Sequence, residues 1–256
     1  MIGHNLKEKL YISFYGESLY HKRMIWTKSR LEALPEGIKV LDAGAGQCKN
    51  KQFLKHVQYV AQDFCQYEGI AVSEKENALS TPSDISDTGI WDTSHIDIVS
   101  DIVNIPVEAE SFGAVVCTEV FEHIVSPELA IKEFSRIMYR GGRLIITAPA
   151  STGVHMAPYF YYAGLSEFWY KEILKKYGFE IKELVKNGNT FDKVKELNNS
   201  LDVFVRFYGK SQKMHLNFFE RMIMHIAALV CEKYSRKTVG SENFYTNEIL
   251  LIAEKK

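Results

Sequence analysis

The chain has few cysteines, and none of them forms a Cys-x-x-Cys pair. The four residues are Cys48, Cys65, Cys117 and Cys231. Their spacing suits neither a zinc site nor a disulfide framework. We therefore predict reduced thiols, as is usual in the cytosol, and no bound metal.

Long apolar runs and an excess of one charge are also missing. The longest apolar stretch, residues 222–231, includes His225 and is too short to cross a bilayer. The first residues lack the apolar core of a signal peptide. The formal net charge is only -1 at pH 7, which argues against nucleic acid as an obligate partner. We expect a soluble cytoplasmic protein without a membrane span.

The composition that is present is ordinary for a globular protein, with 46% hydrophobic and 25% charged residues among 256. Apolar runs typical of strands alternate with segments of helical periodicity. The predicted strands are 38–41, 57–63, 96–101, 112–119, 143–148, 179–185 and 244–254, and the helices between them are 49–56, 127–139 and 166–177. This alternation predicts an α/β fold with a Rossmann-like, seven-stranded, mostly parallel sheet whose last strand is antiparallel.

Two regions are predicted to be helical and to lie outside the sheet domain. Residues 1–36 form an N-terminal helical cap, and residues 187–243 form an insertion before the last strand. The sheet domain then comprises 37–186 and 244–256. The apolar side chains predicted for the inner face of the cap include Ile25, Leu31 and Leu34.

The insertion contains a predicted helix at 214–235 with one apolar stripe. The stripe consists of Leu216, Phe219, Ile223, Ile226 and Val230. The charges around it lack the dense basic face of a membrane-binding helix. We therefore predict a lid or the surface of a homodimer. A second feature, the polar segment 65–91, is predicted to be a long loop with one short helix near 72–79.

A glycine-spaced loop follows the first predicted strand, with the sequence Asp42-Ala43-Gly44-Ala45-Gly46. Glycines let the backbone come close to a ligand because no Cβ intervenes, and such a loop often holds a nucleotide-like ligand. A dinucleotide-binding loop needs a third small residue three positions after the second glycine, where this chain has Lys49. The acid before the loop would also repel a pyrophosphate. The pattern therefore argues against a dinucleotide-dependent dehydrogenase.

Four acids, Asp42, Asp63, Asp101 and Glu119, each follow a predicted strand. Because the carboxyl ends of parallel strands share one edge of a sheet, these carboxylates are expected to line one crevice. A pyrophosphate site would offer NH groups and cations instead. Acids suit a ligand with an ammonium group, a sulfonium, ribose hydroxyls and an adenine amine. S-adenosyl-L-methionine has all of these and no phosphate, so we predict it as the cofactor.

Several spaced motifs resemble the class I S-adenosylmethionine-dependent methyltransferases, most closely their type 11 branch of small-molecule enzymes. The motifs are 40–46, Gln62-Asp63, Ser100-Asp101-Ile102, Ile105-Pro106, Ser111-Phe112, 117–124 and 141–144. The resemblance covers about residues 37–185 and the last strand. The segment 148–180 is similar to members associated with bacterial surface-polysaccharide gene clusters.

The resemblance implies roles at the methionine end of the cofactor. Asp42 and Gly44 would lie there, and Gly46 and Gln47 would pack along the loop. Many members have a third glycine where this chain has Cys48. We expect cofactor binding to tolerate that difference.

The resemblance also implies contacts to the nucleoside. Asp63 would bind the ribose diol, since one carboxylate can accept from two hydroxyls. Phe64 would lie near the adenine, Asp101 would accept from its amine, and the main-chain NH of Ile102 would donate to a ring nitrogen. Thr118-Glu119 would close the wall beneath the sulfonium.

The acceptor is predicted to be a small-molecule or sugar hydroxyl, which profits from a histidine base. His123 and His155 are the candidates for base or substrate contact, with structural hydrogen bonding as the alternative for each. Tyr159 and Tyr162 are predicted to contact the substrate, with packing as the alternative. Two other functions stay open, a protein or RNA methyltransferase and a catalytically silent cofactor-binding module. No Asn-Pro-Pro-Tyr-like motif follows the fourth strand, which argues against N-methylation of nucleobases and of glutamine.

Overall fold

A computed structural model describes residues 18–67, 91–198, 215–238 and 245–256, with the single residues 201, 205, 240 and 242. Strands β1 to β7 and helices α1 to α4 lie within these residues. In chain order they are α1 (Leu19–Glu32), β1 (Lys39–Ala43), β2 (Gln58–Asp63), β3 (Ile98–Val99), β4 (Phe112–Thr118), α2 (Pro127–Ile137), β5 (Met138–Pro149), α3 (Glu167–Lys176), β6 (Phe179–Asn187), α4 (Phe218–Ser235) and β7 (Glu248–Lys255). Residues 190–198 are also helical.

The strands form one seven-stranded sheet in the order β3-β2-β1-β4-β5-β7-β6. The pairs β1–β2, β1–β4, β2–β3 and β4–β5 are parallel, and β7 runs antiparallel to β5. The predicted Rossmann-like α/β fold, with a mostly parallel sheet and an antiparallel last strand, is confirmed. The carboxyl ends of β1 to β5 consequently share one edge of the sheet.

The centre of the sheet is covered on both faces. Alternate side chains of a strand point to opposite faces, so Leu41 of β1 packs in one apolar cluster and Val40 in another. The first cluster includes Phe134 of α2, and the second includes Leu31 of α1. Burying each such side chain contributes about 1.5–3 kcal/mol. Burial on both faces explains why these strands read as continuous apolar runs.

Several predicted elements differ in extent from the structure, including the helix predicted to end at 139, which ends at Ile137, and the strand predicted to begin at 244, which begins at Glu248. The predicted helix 49–56 is a short 3-10 turn at Lys49–Phe53, and Cys48 before it has a left-handed backbone with φ 54°. The predicted strand 96–101 contains only Ile98–Val99. The strand predicted to begin at Arg143 begins at Met138 instead.

The early start of β5 has a local explanation. Phe112 pairs with Met138, whereas Ala114 pairs with Arg143, so β5 carries extra residues in a bulge. Gly141 lies in this bulge with φ 80°, which a glycine adopts without strain. Gly141 and Gly142, which follow the helix predicted to end at residue 139, therefore lie inside a strand.

Helix α1 falls within the predicted cap, of which residues 1–17 lie outside the described part of the chain. Leu31 and Leu34 are buried as predicted, but Ile25 is 46% exposed and the expectation for it was wrong. Ile25 lies six residues before Leu31, and six residues at 3.6 per turn leave it about 120° around the helix from Leu31, off the buried face. The predicted helix near 72–79 also lies outside the described residues.

Contacts divide the chain into two units. The larger is Met24–Val185 with Glu248–Lys256, and the smaller holds the described residues before Met24 and those of Lys186–Asn247. Helix α4 of the smaller unit begins with a capping box between Asn217 and Glu220. Four side chains of its predicted stripe are exposed, namely Phe219, Ile223, Ile226 and Val230.

No helix in the described ranges has the length and apolar character needed to cross a membrane. The domain limits given above, and the lid or homodimer role of 187–243, stay predictions.

Candidate functional site

The loop after β1 requires glycine at two positions. Gly44 has φ 70°, and a Cβ on it would lie 2.6 Å from Cγ2 of Val120. Gly46 has φ 50°, and a Cβ on it would lie 2.9 Å from Cζ2 of Trp91. The loop backbone therefore passes against both side chains in a conformation that other residues rarely adopt. Gln47 follows, half-buried.

Asp42 lies under this loop and is 1% exposed. Its Oδ1 accepts a hydrogen bond from Nδ2 of Asn50 over 3.1 Å, and its Oδ2 accepts one from the Tyr59 hydroxyl over 2.9 Å. Burial raises the pKa of Asp42 to about 6, and the charge of Asp63 adds to the rise, while the two hydrogen bonds oppose it. Asn50 Nδ2 also donates to Oγ1 of Thr118 over 3.1 Å, which joins the ends of β1 and β4.

The end of β2 supports the loop from its other side. Oδ2 of Asp63 accepts from the NH of Gly46 over 2.9 Å. The side-chain oxygen of Gln62 accepts from the NH of Gly44 over 3.3 Å, and its nitrogen donates to the carbonyl of Ser100 over 2.7 Å. One glutamine thereby connects the glycine loop with the segment after β3.

The predicted adenine contacts follow β3. Asp101 is exposed, and its Oδ1 accepts from the NH of Val103 over 3.1 Å. Ile102 is buried. The next turn is held by Glu133 of α2, whose Oε1 accepts from the NH of Ile105 over 2.8 Å.

Glu119 directly follows β4 and has a positive φ of 56°. A non-glycine residue in this region is strained, and such residues are concentrated at functional sites. Oε1 of Glu119 accepts from Oγ1 of Thr147 over 2.9 Å, and its NH donates to the Thr147 carbonyl over 2.7 Å. These bonds to β5 hold the strained residue in place.

Two histidines meet a buried glutamate beyond Glu119. Nε2 of His123 lies 3.7 Å from Oε1 of Glu122, and Nε2 of His155 lies 3.8 Å from the same oxygen. The two imidazole rings are 4.8 Å apart at their centroids. His123 follows β4 and His155 follows β5, so the structure brings together the two histidines that the sequence singled out, next to a glutamate that it did not.

The predicted substrate tyrosines lie beside this group. The ring of Tyr159 meets the ring of Phe64 edge-on at 5.0 Å, and its carbonyl lies 2.5 Å from Nδ1 of His123. Tyr162 donates its hydroxyl proton to the carbonyl of Val125 over 2.9 Å. Tyr159 thus connects the residue predicted to lie near adenine with the histidines, whereas the hydroxyl of Tyr162 is engaged by the main chain.

Five residues that shape this edge had no predicted role, namely Asn50, Tyr59, Gln62, Glu122 and Thr147. Only Gln62 and Glu122 stood within the motifs that carry the family resemblance. The others act through side-chain contacts between elements that are distant in sequence, and no local pattern signals such contacts.

The charges at this edge fit S-adenosylmethionine. The segments 44–48, 64–67, 100–105, 118–124 and 148–158 follow β1 to β5 and contain no lysine or arginine. The four predicted acids lie at the same ends. The carboxylates at this edge favour a ligand with ammonium and sulfonium charges over one with phosphates.

Comparisons with known proteins agree with this fit. Residues 41–146 match the family model described as "Methyltransferase domain". No curated protein matches the chain in sequence.

Three solved structures share the fold. A candidate sarcosine dimethylglycine methyltransferase from Galdieria sulphuraria is 16% identical with a TM-score of 0.54, and the match covers 97% of each chain. A candidate methyltransferase from Bacillus halodurans C-125 is 17% identical with a TM-score of 0.50, covering 90% of this chain and 98% of that one. Geranyl diphosphate methyltransferase in complex with S-adenosylmethionine is 11% identical with a TM-score of 0.51, covering 92% of this chain and 85% of that one.

At these identities the structures establish the fold alone. The family match adds the activity class of the matched region. Residues 41–146 are therefore similar to a methyltransferase domain, and S-adenosylmethionine is the cofactor.

Proposed function

We propose that the protein transfers a methyl group from S-adenosylmethionine to a hydroxyl of a small molecule or sugar. In this proposal the reaction takes place in the cytoplasm and belongs to the biosynthesis of a surface glycan. The proposal of a hydroxyl acceptor is supported by one observation. Nε2 of His123 and Nε2 of His155 converge on Glu122 at the cofactor edge of the sheet. The glycan context is supported by the sequence similarity of 148–180 to members from polysaccharide gene clusters.

In this proposal the acids and the glycine loop hold the cofactor. Asp63 accepts from the ribose hydroxyls, since each carboxylate oxygen has two acceptor sites and the loop NH groups use one each. Asp101 and Ile102 contact the adenine, with Phe64 beside it. Gly44 and Gly46 lie along the methionine part.

The remaining predicted residues line the same cofactor. Gln47 packs along the loop, and Thr118 and Glu119 form the wall near the sulfonium. Asp42 acts from beneath the loop, because Asn50 and Tyr59 occupy both of its oxygens.

The histidines serve the acceptor. When bound, S-adenosylmethionine supplies a methyl group on a cationic sulfonium. The acceptor oxygen takes this methyl group, and the sulfur leaves as a neutral thioether. The hydroxyl must lose its proton. Nε2 of His123 is one candidate base, and Nε2 of His155 is the atom that we propose takes the proton. That atom is basic because Nδ1 of His155 lies 3.0 Å from the carbonyl of Gly153, which only accepts, so the ring hydrogen sits on Nδ1. Tyr159 and Tyr162 present aromatic faces to a sugar or other ring.

A methyl-transfer screen tests the proposal. Isotope-labelled S-adenosylmethionine would be incubated with the protein and with nucleotide sugars, glycans and small hydroxylated compounds, alongside peptides and RNA. We expect label on a hydroxyl of a sugar or small molecule, with slower turnover and unchanged cofactor affinity in His155→Ala. Label only on peptide or RNA would overturn the acceptor class. Cofactor binding without any transfer would instead favour a catalytically silent module.

A further inference from the structure

Glu122, His123 and His155 form a compact group of donor atoms. One carboxylate oxygen and one nitrogen from each ring all lie within 4.8 Å of one another. The side chains of the three residues are only 2%, 12% and 16% exposed, respectively. The group is therefore largely shielded from water, which would otherwise compete for these atoms.

The protonation of both rings follows from their hydrogen bonds. Nδ1 of His123 lies 2.5 Å from the carbonyl of Tyr159, and Nδ1 of His155 lies 3.0 Å from the carbonyl of Gly153. A carbonyl can only accept, so each Nδ1 carries the hydrogen and each neutral ring presents a lone pair at Nε2. Both lone pairs face Oε1 of Glu122. A cation between these three atoms would accept a lone pair from each of them.

We propose that Glu122, His123 and His155 bind a divalent transition-metal ion through Oε1 and the two Nε2 atoms. Two imidazoles and one carboxylate form a common set for zinc and for non-haem iron, whereas magnesium and calcium prefer oxygen ligands. A histidine that binds a metal usually donates its other ring NH to a carbonyl or carboxylate, and both histidines here do so. Metal–ligand bonds of about 2.0–2.1 Å require only small side-chain movements from the present separations.

The backbone around the group is held across two strand ends. The carbonyl of Glu122 accepts from the NH of Tyr161 over 2.9 Å and from the NH of Tyr162 over 3.2 Å. These bonds attach the loop after β5, which carries His155, to the turn after β4, which carries the other two ligands. The sequence did not indicate the site because one ligand comes from a different loop.

Three protein ligands leave at least one coordination position open, as in catalytic metal sites. Water or a hydroxyl oxygen would bind there, and the ion would lower the pKa of that oxygen. The ion would then acidify the acceptor hydroxyl, and its proton would pass to solvent water, because Nε2 of His155 would be bound to the ion. This consequence rests on the proposed function, whereas metal binding itself does not.

Cobalt titration tests the site without any turnover. The metal-free full chain would be titrated with Co²⁺ and followed by visible absorption, which reports low-symmetry coordination by nitrogen and oxygen. The affinity for Zn²⁺ would be measured by calorimetry. We expect one ion per chain, and at least about a hundredfold weaker binding in Glu122→Gln and in His155→Ala, since each loses a direct ligand. His225→Ala is the matched control, because His225 is an exposed histidine of α4.

Cofactor affinity would be measured for every variant as a check of folding. If Glu122→Gln does not fold, His155→Ala still tests the site, because His155 lies in a loop. Absence of cobalt absorption, or metal affinity equal in His155→Ala and His225→Ala, would overturn the proposal. A failed methyl-transfer screen would leave the titration result unaffected, so the two proposals fail separately.

Discussion

The NH of Gly46 donates a hydrogen bond to Oδ2 of Asp63 over 2.9 Å. The other oxygen of Asp63 accepts from the NH of Cys65 over 2.8 Å. The carboxylate at the end of β2 therefore orients the glycine loop after β1 and the segment after its own strand. Asp63 is thus placed to shape the loop, and the proposed ribose contact would be a second way for it to act on the cofactor.

Replacing Asp63 by alanine should weaken S-adenosylmethionine binding by at least about tenfold. Hydrogen bonds to a charged group contribute about 1.5–3 kcal/mol, and 1.4 kcal/mol corresponds to a factor of ten in affinity. Calorimetry measures the change. Glu36→Ala is a suitable control, because Glu36 is an exposed acid before the amino end of β1. Equal affinity in Asp63→Ala and the wild type would contradict the predicted ribose contact.

Replacing Gly44 by alanine should destabilise the fold and reduce cofactor affinity. The φ of 70° alone costs a residue with a Cβ about 1–2 kcal/mol, and the contact of 2.6 Å with Val120 adds to that cost. Gly153→Ala is the matched control, because no atom lies within 4 Å of the position of its Cβ. Urea unfolding should show a loss of at least about 1 kcal/mol for Gly44→Ala and less than about 0.5 kcal/mol for Gly153→Ala. Similar losses in both variants would contradict the strain assigned to Gly44.

The strand ends and their acids could be predicted because both depend on local patterns. The residues of β4 before Thr118 are all buried, so they read as one apolar run, and the polar residue after such a run marks the edge where ligands bind. The left-handed backbone of Cys48, just before the turn at Lys49–Phe53, could not be predicted, because residues other than glycine rarely adopt it. The group of Glu122 and His155 depends on two loops that meet only after the sheet has formed.

Arg136→Met should lower the free energy of unfolding by about 1–3 kcal/mol, because it leaves buried partners without their charged donor. Arg136 donates to Oε1 of Glu133 over 2.6 Å and to the carbonyl of Ile105 over 2.9 Å. Arg140→Met, at an exposed arginine, is the control and should change stability by less than about 0.5 kcal/mol.

This loss should depend on pH. Burial raises the pKa of Glu133, but the hydrogen bonds from Arg136 and from the NH of Ile105 outweigh it and hold the pKa below the ordinary 4.5. The ionised glutamate therefore contributes stability above pH 4.5, and the contribution is lost as the pH falls through its folded pKa. Denaturant unfolding at several pH values should show the difference between wild type and Arg136→Met shrinking in acid. A difference that grows in acid would contradict this role of the pair.

Asp42 should make stability and cofactor affinity respond to pH in opposite directions. Its pKa is about 6 in the folded chain and 3.8 as an ordinary value, so the folded state favours the protonated form. The stability that Asp42 contributes is complete below pH 3.8 and is lost as the pH rises through 6. A difference of about two units between the folded and the ordinary pKa corresponds to a loss of about 3 kcal/mol. A cationic ligand favours the ionised form, so S-adenosylmethionine should bind more tightly at pH 7 than at pH 5.

Asp42→Asn isolates this effect from the other titrating groups. Its amide keeps an oxygen for one of the donors Asn50 and Tyr59 but does not titrate. Between pH 4 and pH 6 the variant should gain stability relative to the wild type as the pH rises, because only the wild type then acquires a buried charge. Its cofactor affinity should rise less over the same range. Urea unfolding and calorimetry at matched pH values measure both trends, and parallel curves for the two proteins would show that Asp42 does not titrate in this window.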